Sequence, residues 1–366
     1  MRVLFFHSGR EWSGAARVLS DAARGLAQRG VDVTFVCRPD SAVEERLSTT
    51  GYDFVPIDME GSWRSVAWRL RRVILDKTAD VVVAQSSAEH LVAAGAVRAA
   101  GRATVVRRVP AGTRLAPDGA TKWAARFAPA GYLFTTSAEM QNAPAIRNRL
   151  RSAVADVGVD TAAYDEIRPA TRPVPPAIAG GPTRLVVCVY DPDAPRGRVA
   201  TALRTLAMLA PRHPELRLAL LGRGSDAEDL RMHAAALKIT GLVSHLGERD
   251  DHLQVLRAAD VGWVTADQDA GAYGALDLMS LRIPVLADRG SIANRYVADG
   301  ITGTLLPPGD TPASAAALAA LLAHDDQRNT MGSAGRARVA RDYSLTSMVD
   351  GFLQAIEGAR ERARAS

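Results

Sequence analysis

The sequence predicts an α/β protein built from two doubly wound, Rossmann-like domains, and three observations predict it. Apolar strand-like runs alternate with amphipathic helical stretches through both halves of the chain, the pattern of βαβ units and covered parallel sheets. A Pro-, Ala- and Gly-rich stretch, RPATRPVPPAIAGGP, divides the two series as a linker would. The length of 366 residues suits two domains of about 150–200 residues each.

The domain plan runs 1–160, linker 161–183, and 184–344, with a last helix over 345–366. Arg2–His7 is a continuous apolar run, the signature of a strand buried on both faces. Ser13–Arg29 is an amphipathic helix and Asp32–Cys37 a strand. Gly51–Ile57, Ala79–Ala84, Ala103–Arg107 and Gly131–Thr136 supply further strands, with helices between them. A new series opens with strand Arg184–Tyr190, helix Arg198–Leu209, strand Leu216–Leu221, helix Asp226–Leu237 and strand Leu242–Leu246. Residues 259–310 then give a strand (Val261–Thr265), a loop holding Asp269, a helix carrying Asp277, and a strand (Ile283–Ala287). A Gly-Ser turn and a hairpin-like apolar run follow, ended by Pro307-Pro308-Gly309-Asp310. Helical segments 311–323, 326–341 and 345–363 finish the chain.

Composition narrows the function classes. At 47% hydrophobic and 23% charged residues, the chain is an ordinary globular protein. It has no apolar run of the roughly 18 residues that a membrane span requires. The start MRVLFFHSGR reads as a first strand rather than a signal peptide. Cys37 and Cys188 lie in separate strand-like runs, so no disulfide framework is expected and the cytoplasm is the default. No Cys/His cluster has metal-ligand spacing, and neither a metal, another cofactor nor a nucleic-acid partner is expected. Charge is uneven. Residues 1–160 hold 22 Lys/Arg and 16 Asp/Glu (22 − 16 = +6), and residues 161–366 hold 23 and 24 (23 − 24 = −1). A basic first domain suits an anionic partner, and a solvated surface explains the same excess.

Candidate site residues follow from chemistry and position. Asp269 and Asp277 can face one crevice at the carboxyl ends of the strands, where open α/β sheets bind ligands. Asp has low helix propensity, which favours a role for Asp277 beyond helix stability. A carboxylate also accepts hydrogen bonds from both hydroxyls of a diol. Ser13-Gly14 before the first helix lets its N–H groups approach a phosphate. Arg196 has the forked geometry that grips a diphosphate, whereas Asp191 repels one. A shifted loop would bring in Arg198 or Arg184. Gly222-Arg223-Gly224 makes a tight turn after a strand. Arg107, Arg108 and Arg114 cluster at a strand's carboxyl end and point at an acidic acceptor. In the helix Ser62–Lys77, Trp63, Val66, Leu70 and Val73/Ile74 form a core face. Arg64, Trp68, Arg71 and Arg72 turn outward, a combination suited to an anionic membrane surface.

The run Asp269, seven residues, Asp277-Leu278-Met279-Ser280, three residues, Pro284-Val285-Leu286-Ala287 resembles the nucleotide-sugar signature of retaining glycosyltransferases of family 4. In that family both acids are glutamates. The resemblance extends to Gly14, to the VGVD segment at 157–160 before Tyr164, and to Tyr343-Ser344 before the last helix. It implies the GT-B fold, with two Rossmann-like domains facing a central cleft and the last helix crossing back to the first domain. It also implies that Asp277 takes the ribose and Asp269 lies beside the donor sugar. Gly271, Ala272, Gly222, Arg223, Glu248 and Gly14 would contact the donor, with Arg196 on its diphosphate. Asp191 stands where the family has a second arginine. The implied activity moves a hexose from a nucleoside-diphosphate sugar to an acceptor, anionic or lipid-linked at the inner membrane face, with retention of configuration. The alternatives are a catalytically impaired GT-B scaffold or regulator of another glycosyltransferase, and a sugar-nucleotide epimerase.

Overall fold

The structure, a computed structural model, describes residues 1–113, 115, 124, 130–143, 152–170 and 183–365. The chain divides into two units, Met1–Gly158 with Leu345–Ser366, and Val159–Ser344. The second unit thus begins before the expected linker. Residues 161–170 are folded as part of it, with Ala170 N–H donating to the Gln254 carbonyl at 2.9 Å, while 171–182 lie outside the described residues.

Unit 1 is a sheet of seven parallel strands, β1 (Arg2–Phe6), β2 (Asp32–Cys37), β3 (Asp53–Pro56), β4 (Val81–Ala84), β5 (Thr104–Arg108), β6 (Ala130–Phe134) and β7 (Ser152–Val154). Their order is β3-β2-β1-β4-β5-β6-β7. Among the described residues before 158 its helices are α1 (Gly14–Gln28), α2 (Ala42–Leu47), α3 (Trp63–Asp76), α4 (Ser87–Ala100) and α5 (Ser137–Gln141). Each is opened by a hydroxyl side chain that accepts an N–H of the first turn: Ser13, Ser41, Ser62, Ser86 and Thr136. Such caps satisfy donors that have no partner inside the helix.

Unit 2 is a sheet of six parallel strands, β8 (Arg184–Val189), β9 (Leu216–Leu221), β10 (Val243–Gly247), β11 (Val261–Val264), β12 (Val285–Asp288) and β13 (Gly303–Leu306), in the order β10-β9-β8-β11-β12-β13. Its helices are α6 (Arg196–Leu209), α7 (Glu228–Ala236), α8 (His252–Arg257), α9 (Gln268–Ser280), α10 (Thr311–Ala323) and α11 (Asp325–Asp342). The hairpin expected after β12 is absent. Gly303–Leu306 pairs with β12 in parallel, Val285 opposite Gly303, because a one-turn helix at Ile292–Arg295 reverses the chain first. The last helix, α12 (Leu345–Ala365), returns to unit 1. There Phe352 meets Phe5 at 6.2 Å between ring centroids, and Arg29 holds Asp350 at 2.6 Å.

Both strand orders reverse direction once, between β1 and β4 and between β8 and β11. The crevice outside such a reversal is where doubly wound sheets place ligands. The two points direct attention to the ends of β1 and β4 in unit 1, and of β8 and β11 in unit 2.

Candidate functional site

The chain leaving β11 forms the centre of the unit 2 site. Asp267 caps α9, and one of its carboxylate oxygens accepts the Gln268 and Ile292 N–H groups, both at 3.1 Å. Gln268 sits at φ 49°, a left-handed conformation that costs a non-glycine residue on the order of 1–3 kcal/mol and concentrates at functional sites. Asp269 follows in the first turn of α9, not on a loop as expected, and Asp277 lies further along the same helix. Eight residues of helix separate them by about 12 Å along the axis and about 80° around it. Asp269 is 2% exposed and Asp277 3%, so neither is a solvated surface charge. Buried carboxylates need partners, and Asp277 has one in the Tyr164 hydroxyl, which donates to it at 2.5 Å.

Gly271 is fixed by packing rather than by a donor loop. A Cβ there would lie 2.5 Å from both the Ala266 carbonyl oxygen and Ile292. Its N–H is spent on the Asp267 carbonyl at 2.9 Å, and Ala272 beside it is fully buried. Gly271-Ala272, expected to contact the donor, is therefore a buried helical turn. Gly222 has a similar explanation, with φ 123° and a Cβ that would come within 2.3 Å of the Tyr190 carbonyl oxygen. Its N–H donates to the Gly247 carbonyl at 2.9 Å.

The arginines are distributed differently from the expectation. Arg196 opens α6, is 79% exposed and pairs with Asp229 at 2.6 Å. Arg223 turns back onto Asp193 at 2.6 Å and Asp191 at 3.4 Å, so it does not extend outward, and it offsets the Asp191 charge. Arg198 is 11% exposed, 3.0 Å from Asp267 and 3.6 Å from Asp288, and donates to the Gly290 carbonyl at 3.3 Å. Burial raises the Asp288 carboxyl above the ordinary range, against the pull of Arg198. Arg184 is at the opposite end of β8, held by Asp260 and Asp325. Glu248 is exposed just beyond β10. Of the arginines named for the diphosphate, Arg198 alone reaches the ends of both β11 and β12.

In unit 1, Gly14 is the first residue of α1, behind the Ser13 cap. Beside it, at the reversal of strand order, is a polar cluster that the sequence did not announce. Glu89, the capping-box acid of α4, accepts the Ser8 N–H at 2.7 Å, the Ser8 hydroxyl at 2.9 Å, and the Ser86 and Gln85 N–H groups at 3.0 and 3.1 Å. His7 Nδ1 lies 3.3 Å away. Burial pushes the Glu89 carboxyl up, but His7 first, and then the Ser8 and Ser86 N–H groups, outweigh it and hold the group down at about 2. Gln85 donates to the Ala15 carbonyl at 2.7 Å and accepts from Arg108 at 2.5 Å. Arg107 donates to Ser87 at 2.8 Å. Arg107 and Arg108 are thus buried at 6% and 1% exposure, and they do not join a basic face. Arg114 lies outside the described residues.

On α3 the buried stripe is Val66, Ala67, Leu70, Val73 and Ile74. Trp63 is not in it. Trp63 and Trp68 are both exposed, with Arg64 stacked over the first at 5.4 Å and Arg71 over the second at 4.6 Å. Trp63, Arg64 and Trp68, with Ala67, Gly95, Arg98 and Ala99, line a shallow groove of about 280 Å³. Among the described residues no helix is long and apolar enough to cross a membrane, and no group of three or more His, Cys, Asp or Glu is placed to hold a metal ion.

Comparison with known proteins agrees with this architecture. The family of glycosyl transferases group 1 matches residues 182–338, and the glycosyl transferase 4-like domain matches residues 13–142. A lipopolysaccharide core biosynthesis glycosyltransferase, LpsE, of Rhizobium meliloti is 24% identical over 97% of this chain and 98% of its own. A phosphatidyl-myo-inositol mannosyltransferase of Mycobacterium leprae is 32% identical, over 47% of each chain. Among solved structures, HepE of Anabaena in complex with UDP and glucose superposes with a TM-score of 0.79 at 19% identity, covering 98% of this chain and 99% of that one. A glycosyltransferase of Rickettsia africae gives a TM-score of 0.78 at 14% identity, over 100% and 99%. Two parallel-sheet units, each matched by its own glycosyltransferase family, make this chain a GT-B glycosyltransferase of the group 1, family 4 type.

Proposed function

We propose that the protein moves a hexose from a nucleoside-diphosphate sugar to an acceptor with retention of anomeric configuration, unit 2 holding the donor. The observation that carries this is the pair of buried carboxylates on α9, at the reversal of strand order. Asp277 accepts the ribose hydroxyls and Asp269 stands beside the sugar, a span that a nucleoside-diphosphate sugar bridges. The HepE structures hold UDP, with glucose or as UDP-glucose, which supports a donor of that class. In the transfer, the bond from the anomeric carbon to the diphosphate oxygen breaks and the acceptor oxygen bonds to the same face. The leaving diphosphate takes the electron pair and the acceptor's hydroxyl proton, and positive groups stabilise it. Arg198, at the strand ends, is better placed for this than exposed Arg196. No metal takes part in this proposal, so activity survives a chelator.

Unit 1 takes the acceptor. The Trp-Arg groove on α3 and α4 supports an anionic, lipid-linked acceptor met at a membrane surface, since stacked Trp and Arg side chains suit an interface of apolar chains and phosphates. One observation favours the second reading, a scaffold that binds without catalysis: Arg196, Arg198 and Arg223 are already paired with Asp229, Asp267 and Asp193. Incubating the protein with a panel of UDP-, GDP-, ADP- and dTDP-sugars separates the two. Release of nucleoside diphosphate from one donor supports the transferase; binding without release from any donor supports the scaffold.

A further inference from the structure

We propose that Tyr164 is a positioning residue for the nucleotide, its hydroxyl holding the Asp277 carboxylate in the orientation that receives the ribose. The inference rests on the ribose role of Asp277 given above. It starts from an acid that is one methylene shorter than the glutamate of the signature it resembles, on a helix with ten consecutive buried residues from Gly271 to Ser280. One donor to that acid comes from far along the chain. Tyr164 ends the one-turn helix Thr161–Tyr164, capped by Asp160, whose side chain accepts the Ala162 N–H at 3.0 Å. Val159 N–H donates to the Tyr343 carbonyl at 3.0 Å. Asp165 accepts from Arg336 at 2.7 Å, and the same guanidinium donates to the Ser280 carbonyl at 2.8 Å. The segment is therefore fixed on both sides of Tyr164, and its ring is 6% exposed.

A phenol hydroxyl held at 2.5 Å from Asp277 Oδ1 does two things. It helps to fix the rotation of a short carboxylate, which preorganises a ligand contact. It also leaves acceptor capacity, because a carboxylate offers about four lone-pair sites. Lengthening the acid by one methylene advances its oxygens by about 1.5 Å, into the place of the hydroxyl. Asp277 with Tyr164 therefore forms a matched pair, and a glutamate fits at this position only when the hydroxyl is gone.

The test is calorimetric titration of UDP, GDP, ADP and dTDP into wild type, Tyr164→Phe, Asp277→Glu, the double variant Tyr164→Phe/Asp277→Glu, and Asp277→Ala. Melting temperature is read alongside. Tyr164→Phe should weaken the nucleotide that binds wild type by about three- to tenfold, the size of one lost hydrogen bond. Asp277→Glu alone should weaken it too, and the double variant should recover affinity to within about twofold of wild type by the same measure. A Tyr164→Phe protein that melts lower but binds as wild type does overturns the proposal, leaving Tyr164 as a staple of the fold. So does a double variant weaker than either single one. If Asp277→Ala binds as wild type does, or none of the four nucleotides binds wild type, the ribose reading itself fails and takes this inference with it.

Discussion

Replacing Glu89 by Gln tests the polar cluster at the carboxyl edge of the unit 1 sheet. The carboxylate is 3% exposed and collects four donors from Ser8, Gln85 and Ser86, with His7 as a fifth neighbour. Its titration falls from 4.5 to about 2, which corresponds to about 3 kcal/mol favouring the charged form in the folded state. Gln keeps the shape but turns an NH2 group either towards the Gln85 and Ser86 N–H groups or towards the Ser8 N–H and hydroxyl. Urea unfolding at pH 7, followed by tryptophan fluorescence, should show a loss of about 2–3 kcal/mol for Glu89→Gln. The signal reports mainly unit 1, which contains Trp12, Trp63, Trp68 and Trp123, with Trp263 in unit 2. The sign with pH follows from a lowered acid. The stabilisation is complete above about 4.5 and is lost as pH falls towards about 2. The gap between wild type and variant must therefore shrink across that window. A loss below about 1 kcal/mol at pH 7, or a gap that widens on acidification, would refute the reasoning.

Three further outcomes follow from the same geometry. Gly222→Ala forces a Cβ to 2.3 Å from the Tyr190 carbonyl oxygen at φ 123°. Unit 2 should lose about 2 kcal/mol or more, and an unchanged thermal transition would contradict this. Arg198→Ala should weaken nucleoside-diphosphate binding more than about tenfold while Arg196→Ala changes it less than about threefold, as expected for a part-buried and an exposed charge; calorimetry giving the reverse order would restore Arg196 to the diphosphate. Vesicle co-sedimentation should show binding that needs acidic phospholipid, falls as salt rises, and is lost in a Trp68→Ala/Arg64→Ala variant; binding to neutral vesicles alone would refute the anionic reading.

Much of the fold was legible because buried parallel strands and amphipathic helices have distinct periods. Leu216–Leu221 and 311–323 match the observed elements residue for residue. The shift of Asp269 from loop to helix reflects a cap at Asp267 and a left-handed Gln268, neither of which leaves a pattern in hydrophobicity. The missed hairpin has a similar cause, since a one-turn helix at Ile292–Arg295 is too short to show a period. The spacing put both acids on the segment after β11, where the structure buries them on one helix; the surroundings of the arginines were less legible. Arg107 and Arg108 end a strand, and sequence position alone does not say that Ser87 and Gln85 will receive them. Tyr164 was visible only as an aromatic residue. Its partner lies 113 positions away, a pairing that only the fold brings together.

The central claim is that unit 2 holds a nucleoside diphosphate with Asp277 on its ribose. The most direct measurement is calorimetric titration of the cognate nucleoside diphosphate and its 2′,3′-dideoxy analogue into wild type and Asp277→Ala. Wild type should prefer the ribonucleotide by about 1–3 kcal/mol, the cost of leaving a charged hydrogen-bond partner unmatched. Asp277→Ala should bind both nucleotides alike, at the weaker affinity. A variant that keeps the wild-type preference for the ribonucleotide would contradict the account.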